Sequence, residues 1–263
     1  MKRSRLPLLT TLIVFLFFYV PLVLMVLQSL QYKVPGMDTK QWTVKWYVEL
    51  FRDSRLMEVA LNTVVIGVSA AFISTILGTL SALAINKYKS KLQAIHRGLL
   101  YAPLILPEIL MGISLLIFLS ALNVELGRLT VIAAHVAFCT SYVAVVVMAS
   151  LEDFDFTLLE ASRDLGATSW QTTRRITLPL LMPAIVSGGL LAFTLSLDDF
   201  IVTFFVAGKD CTTLPLYIYS AIKHGRPERL CALSSLLLGI TLLLVSTTVL
   251  FAGKNIAKAD SGE

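Results

Sequence analysis

Three carboxylates stand inside long apolar stretches of the chain. Asp198 and Asp199 lie in the run FTLSLDDFIVTFF, and Glu108 lies in APLILPEILMGIS. A carboxylate at the centre of a membrane span costs roughly 2.5–3.5 kcal/mol, so each of these residues requires a reason. Adjacent like charges disfavour joint ionisation unless a cation lies near them, and a polyvalent cation would supply that charge. The pattern therefore predicts a cation path formed by these three residues.

A structural role is the alternative for the same carboxylates. Either aspartate could accept hydrogen bonds from neighbouring helices or cap a break in its own helix. Pro103 and Pro107 each remove an intrahelical hydrogen bond, so Glu108 could receive N–H groups freed in a broken helix. His135 is interpreted as an interhelical hydrogen-bonding residue rather than a metal ligand, because no second metal-type ligand is near it in sequence.

A polar segment, Leu159 to Pro183, separates two apolar blocks in the second half of the chain. Leu158 to Leu165 has the spacing of a short amphipathic helix, Gly166 predicts a turn, and Thr168 to Ile176 predicts a second helical piece. The pattern indicates a helix, a glycine turn and a helix held against a membrane.

A further polar stretch, residues 208–229, contains the motif LPLYIYS, which is too short to span a membrane. Tyr217 and Tyr219 could offer their aromatic faces to a cation. Anchoring at the membrane interface explains the same two tyrosines equally well.

The composition of the chain indicates that transmembrane helices position these residues. Of the 263 residues, 56% are hydrophobic and 15% are charged, whereas charged residues make up about 25% of a soluble domain. Apolar stretches of about 20 residues can cross a membrane as helices. We predict an all-α integral membrane protein that forms a single domain over residues 1–263, with six transmembrane helices. The predicted spans are about 6–30, 59–85, 99–121, 129–149, 180–207 and 230–252.

Basic residues set the predicted orientation. The N-terminus holds Lys2, Arg3 and Arg5, and the loop 86–98 holds four bases and no acid. By the positive-inside rule both face the cytoplasm, and six spans then place both termini and the loop at about 150–178 on that side.

Several function classes are excluded by what the sequence lacks. The net charge of +5 comes with no nucleic-acid motif, and much of it sits beside apolar spans. Three cysteines without paired spacing predict neither a metal site nor a disulfide framework. The sequence has no GxxxxGK[ST] phosphate loop, so we expect a chain without catalytic residues or a cofactor of its own.

Four residues separate Glu160-Ala161 from Gly166, and nine residues separate Gly166 from Ile176-Thr177-Leu178-Pro179. This spacing resembles the EAA loop of ABC importer permeases, with Ser162 where the pattern has its second alanine. In that family the loop is the coupling helix, which docks on a separate ATPase subunit. The resemblance implies the type I ABC importer permease fold. The implied coupling residues are Glu160, Ala161, Ser162, Asp164 and Gly166.

The motifs LSLDDF, LPLYIYS, LPEILMGISLL and LEASRDLGA together look like the second, C-type permease of spermidine/putrescine ABC importers. The resemblance implies polyamine uptake across the bacterial inner membrane. It also implies a second permease as heterodimer partner, a homodimeric ATPase that binds ATP and Mg, a periplasmic polyamine-binding protein, and membrane lipid. The substrate path that we predict comprises Asp198, Asp199, Glu108, Tyr217 and Tyr219.

Two other functions stay open. One is a type I ABC permease for another small substrate, such as an anion, a metal ion or a sugar, although the acidic pair argues against anions. The other is a stand-alone secondary transporter or channel in which Asp198 and Asp199 relay protons. The EAA-like spacing argues against the second.

Overall fold

The structure of the protein is a computed structural model that describes residues 6–33, 40–87, 92–209, 211–223 and 228–243. Helices dominate these ranges, as predicted for an all-α protein, and a hairpin of two three-residue antiparallel strands, β1 (Gln31–Lys33) and β2 (Lys40–Trp42), interrupts them. The helices are α1 (Leu6–Ser29), α2 (Lys45–Arg52), α3 (Ser54–Lys87), α4 (Gln93–Ile105), α5 (Glu108–Ala121), α6 (Arg128–Glu152), α7 (Thr157–Asp164), α8 (Ser169–Thr172), α9 (Leu178–Asp198), α10 (Ile201–Val206), α11 (Leu214–Lys223) and α12 (228–243), with a π-helical turn at Thr173–Thr177.

Four helical stretches in the described ranges are long and apolar enough to cross a membrane, and α4 with α5 forms a fifth if the bent pair counts as one span. These five match the first five predicted spans, with two differences. The third span is bent, and the fifth is interrupted after Asp198. The sixth predicted span, 230–252, is helical as far as residue 243, and its remainder lies outside the described residues. The count of six therefore stays a prediction.

The chain divides into two compact units. This division does not test the prediction of a single domain, which stays a prediction. The terminal unit comprises Met1–Met57 and Ile218–Glu263, and the central unit comprises Glu58–Tyr217. In the terminal unit, Trp46 Nε1 donates to the Gln31 carbonyl oxygen at 3.0 Å, and the hydroxyls of Ser29 and Tyr47 lie 2.6 Å apart. These bonds fix α2 against the hairpin and the end of α1.

Helix α6 is the centre of the central unit. Its buried residues recur at every fourth position, which aligns them along one face of a helix: Val131, His135, Cys139, Val143, Val147 and Leu151. This face packs on α9, while α10 packs on α5. Both halves of the interrupted fifth span therefore pack against other helices of the central unit.

Glycines permit close packing between helices of the central unit. A Cβ atom on Gly78 would lie 2.7 Å from Val143 Cβ, and one on Gly112 would lie 2.6 Å from the ring of Phe205. Both distances are below normal contact. Glycine is therefore required where α3 meets α6 and where α5 meets α10.

Candidate functional site

The third predicted span breaks at a proline. α4 ends at Ile105, and α5 begins at Glu108 at an angle of 111° to it. Pro107 has no N–H to donate, and a proline disfavours helical geometry in the residue before it. Leu106 accordingly has an extended ψ of 135°. Glu108 therefore lies in the first turn of α5, where its side chain is exposed and has no hydrogen-bond partner among the described residues.

The fifth predicted span breaks at the aspartate pair. α9 ends at Asp198, Asp199 is extended with ψ 121°, and α10 follows. The carboxylate of Asp199 accepts the Val202 N–H at 3.3 Å, the Thr203 N–H at 2.8 Å and the Thr203 hydroxyl at 2.7 Å. These are N–H groups that the first turn of a helix leaves without an intrahelical partner. Asp199 therefore caps α10, which is the role that the sequence offered as the alternative to the cation path.

His135 joins the two halves of this broken span. The ring is fully buried. Its Nδ1 lies 2.6 Å from the hydroxyl oxygen of Ser196 on α9, and its Nε2 lies 2.9 Å from that of Thr203 on α10. Nε2 also lies 3.2 Å from Asp199 Oδ2. The predicted interhelical hydrogen-bonding role of His135 is confirmed.

The two breaks meet at a cavity of about 390 Å³ inside the central unit. Glu108, Asp198 and Asp199 all line it, so the structure brings together the three carboxylates that the sequence singled out. Asp198 is exposed, whereas only 6% of the Asp199 side chain is exposed. The cavity thus offers two free carboxylates, from Glu108 and Asp198, beside a third that is engaged in capping.

Aromatic rings complete the cavity wall. Phe138 and Tyr142 of α6 and Phe200 of the break line it together with apolar side chains. These rings were not predicted from the sequence, and neither were Ser196 and Thr203 as partners of His135. One signal could have found the partners, because Ser196, Asp199 and Thr203 recur at spacings of three and four in an otherwise apolar stretch, as polar residues on one helix face do.

The two predicted tyrosines lie on α11. Tyr217 is half-buried in the central unit and is not among the residues that line the cavity. Tyr219 belongs to the terminal unit, where the Lys223 ammonium lies 4.8 Å from the centre of its ring. The aromatic face of Tyr219 is therefore already next to a cation of this chain.

The polar segment has the predicted form of a helix, a glycine turn and a helix. Gly166 has φ +82°, a conformation that glycine adopts without strain. The Gly166 N–H donates to the Arg163 carbonyl, and the Ala167 N–H donates to the Ser162 carbonyl. These two bonds close α7 in a Schellman motif. Thr168 then starts α8 in a capping box with Gln171.

The ends of this segment are also fixed by local chemistry. Before α7, the Asp155 carboxylate accepts the Thr157 hydroxyl at 2.6 Å and the Thr157 N–H at 3.0 Å, which holds the pKa of that carboxyl below its usual range. After α8, Pro179 lacks an N–H, and the π-helical turn Thr173–Thr177 accommodates it, with the Leu178 N–H donating to the Thr173 carbonyl.

Ser162 holds the two short helices together. Its side chain is buried, and its hydroxyl lies 2.9 Å from that of Thr172 on α8. Glu160 and Arg163 line a cavity of about 490 Å³ that also includes the end of α3. Ala161, Asp164 and Gly166 are exposed. Of the five predicted coupling residues, Ser162 alone is buried.

Two large apolar side chains are exposed on the segment formed by α7, Gly166 and α8. Leu165 is 89% exposed and Trp170 is 68% exposed. Exposed large apolar side chains surrounded by polar residues are typical of a protein interface.

Residues 74–259 match the family described as the binding-protein-dependent transport system inner membrane component. The chain is 37% identical over 243 residues to the spermidine/putrescine transport system permease protein PotC of Haemophilus influenzae, covering 92% of this chain and 95% of that protein. It is 38% identical over 249 residues to the putrescine transport system permease protein PotI of Escherichia coli strain K12, covering 90% and 87%.

Solved structures agree in fold. A bacterial ABC transporter involved in the import of the acidic polysaccharide alginate aligns with a TM-score of 0.71 at 21% identity, covering 94% of this chain and 92% of that one. A bacterial alginate ABC transporter in complex with alginate pentasaccharide-bound periplasmic protein aligns with a TM-score of 0.70 at 22% identity, covering 93% of this chain and 90% of that one. At these identities the likeness shows the fold alone, and it confirms the predicted ABC importer permease fold.

Proposed function

Because the chain belongs to the family of binding-protein-dependent transport system inner membrane components, we propose that it is the permease subunit of an ATP-driven importer that carries polyamines such as spermidine and putrescine into the bacterial cytoplasm. The observation that carries the choice of substrate is the cavity at the two helix breaks. It presents the free carboxylates of Glu108 and Asp198 beside aromatic rings.

The electrostatics of this cavity favour an oligocation. Each unpaired carboxylate costs roughly 2.5–3.5 kcal/mol inside a membrane, and an ammonium group beside it offsets that cost. A sugar supplies no positive charge, and an anion would add repulsion. An alkyl polyamine carries ammonium groups for Glu108 and Asp198 and an apolar linker for Phe138 and Tyr142.

ATP-dependent uptake in proteoliposomes tests the cavity. We expect Asp198→Asn and Glu108→Gln each to lower the number of polyamine molecules imported per ATP hydrolysed by about ten- to a hundredfold, since one hydrogen bond to a charged group contributes about 1.5–3 kcal/mol and every 1.4 kcal/mol is about tenfold. Glu125→Gln is the matched control, because Glu125 is an exposed carboxylate that does not line the cavity. An unchanged ratio in both cavity variants would reject this path.

The same proteoliposomes distinguish the substrate class. Putrescine and spermidine should be imported, whereas a neutral sugar and a dicarboxylate of similar length should not. Import of the sugar or the dicarboxylate with the cognate binding protein, and of no polyamine, would assign the permease to another substrate.

The second part of the proposal is that α7, Gly166 and α8 form the cytoplasmic coupling surface for an ATPase subunit, which binds ATP and Mg. Glu160, Ala161, Asp164 and Gly166 belong to this surface, and Ser162 supports it from inside through Thr172. The exposed Leu165 and Trp170 supply the apolar contact area. The chain itself is a transport subunit and not an enzyme.

Capture of the ATPase on the purified permease pair tests this surface. Leu165→Glu should lower the amount of ATPase retained, because it places a charge in the apolar contact. Leu129→Glu is the matched control, since Leu129 is 81% exposed at the opposite end of α6. Equal retention by both variants would argue against an ATPase contact at Leu165.

The proposed assembly also includes a different second permease, a periplasmic polyamine-binding protein and the lipid of the inner membrane. Apolar side chains along α1, such as Phe17 and Phe18, are exposed in this chain, which suits a lipid or partner contact. With both termini in the cytoplasm, Ser169 faces the cytoplasm and Asn123 faces the periplasm. In a variant whose native cysteines are replaced by serine, a membrane-impermeant thiol reagent applied to spheroplasts should label Asn123→Cys and spare Ser169→Cys; the reverse pattern would invert the orientation.

A further inference from the structure

The fully buried His135 contacts both halves of the broken fifth span. Through Nδ1 it meets Ser196, two residues before the free carboxylate of Asp198, and through Nε2 it meets Thr203 and Asp199 beyond the break. No helical hydrogen-bond ladder is continuous across an extended residue, and Asp199 is extended. The relative position of the two half-helices is therefore set by the side chains that connect them.

Two other side chains of α6 each hydrogen-bond to one half of this span. Thr130, one turn or so before His135 on α6, donates to the Val206 carbonyl of α10 at 2.7 Å, and Cys139, one turn after it, donates to the Ala192 carbonyl of α9 at 3.4 Å. Each of these two holds one half of the span. His135 stands between them and holds both.

We propose that His135 is a positioning residue for the transport cavity: it fixes the break between α9 and α10 and thereby sets where the Asp198 carboxylate meets the ammonium group of the substrate. The ring does not line the cavity. This inference rests on the proposed function, because it takes Asp198 as a residue that contacts the transported cation.

Two substitutions separate the two contacts of the ring. In His135→Asn the amide nitrogen can occupy the position of Nδ1 and keep only the bond to Ser196. In His135→Gln the amide can reach the position of Nε2 and keep only the bonds toward Thr203 and Asp199. If holding both halves is what matters, neither variant is sufficient.

The readout is the number of putrescine molecules imported per ATP hydrolysed by the complete importer in proteoliposomes. A loss of folded complexes lowers import and hydrolysis in proportion and leaves this ratio unchanged, so a purely structural role does not move it. We expect both His135 variants to lower the ratio about three- to tenfold. Cys139→Ala, the matched control on the same buried face, should leave the ratio unchanged.

A double-mutant cycle then tests whether His135 acts through Asp198. With Asp198→Asn already present, His135→Gln should lower the ratio no further. A full additional loss in the double variant would overturn the proposal, as would His135 variants with a normal ratio. If Asp198→Asn itself leaves the ratio unchanged, this inference fails together with the assignment of Asp198 to the cation path, which distinguishes that case from a failure of the inference alone.

Substitutions at the two hydroxyl residues that contact His135 test the same role if the His135 variants do not assemble. Ser196→Ala removes the contact on α9, and Thr203→Val removes the hydroxyl on α10. Each should lower the ratio in the wild-type background and not in the Asp198→Asn background. A normal ratio in both would overturn the positioning role.

Discussion

Replacing Asp199 by asparagine should destabilise the assembled importer, whereas the same replacement of its neighbour Asp198 should not. Asp199 Oδ2 accepts two bonds from Thr203 and lies 3.2 Å from His135 Nε2, and Oδ1 accepts the Val202 N–H. Asparagine has one oxygen in place of two. Its NH₂ group must therefore face a donor, whichever way the amide turns.

The magnitude follows from these contacts. A hydrogen bond to a charged group contributes about 1.5–3 kcal/mol, and the 3.3 Å bond from Val202 is the weakest of the set. If the amide oxygen keeps the Thr203 bonds and the NH₂ faces Val202, we expect a loss of about 1–3 kcal/mol. Asp198 is exposed and has no hydrogen-bond partner among the described residues, so its replacement should destabilise the importer by less than about 0.5 kcal/mol.

Thermal denaturation of the purified importer, followed by loss of the monodisperse peak on size-exclusion chromatography, measures the difference. The midpoint of Asp199→Asn should fall by roughly 2–12 °C relative to wild type, and that of Asp198→Asn should stay within about 2 °C. Equal midpoints for the two variants, or a larger fall for Asp198→Asn, would refute the assignment of Asp199 as the cap of α10.

Three further predictions concern other parts of the molecule. Gly166→Pro should uncouple ATP hydrolysis from import while the spans stay folded, because proline fixes φ near −65° where Gly166 has +82° and removes the N–H bonded to Arg163; normally coupled import in proteoliposomes would contradict this. Gly78→Val should lower the yield and the thermal midpoint, because it places a Cβ atom 2.7 Å from Val143 Cβ. Gly98→Ala is the control, since the space around the added Cβ is open, and it should leave the yield and the midpoint unchanged. Equal yields and midpoints for the two variants would count against the close packing of α3 on α6. Burial opposes ionisation of Asp53, but the Leu56 N–H and the Arg229 charge outweigh it and hold the pKa of Asp53 below its usual range. The stability that this carboxylate contributes is therefore present above about pH 4 and is lost as pH falls through its lowered pKa. The difference in thermal midpoint between wild type and Asp53→Asn should shrink below about pH 4, and a difference that grows there would contradict this prediction.

The segment around Gly166 could be predicted almost completely because its structure depends on neighbours in sequence. A glycine ends α7, Thr168 caps α8, and Pro179 follows within one turn of the start of α9. The apolar spans were equally accessible, since length and hydropathy decide them. The orientation of Ser162 toward Thr172 was not, because it depends on how the two short helices fold back on each other.

The convergence of the three carboxylates on one cavity could not be predicted from the sequence. The three carboxylates were found by their cost in a membrane, and their convergence followed from two helix breaks that come together only in the folded chain. Pro107 signals the first break. The second has no proline, and its capping by Asp199 is supported by His135, which is distant in sequence. Roles within an adjacent pair of aspartates therefore required the structure.

The most direct test of the account is ATP-dependent uptake of radiolabelled putrescine and spermidine into proteoliposomes that contain this chain with the ATPase, the second permease and the binding protein, each omitted in turn. The account predicts uptake with the full set and none when any component, this chain included, is absent. Uptake by this chain alone would contradict the importer mechanism, and no uptake of either polyamine with the full set would contradict the substrate.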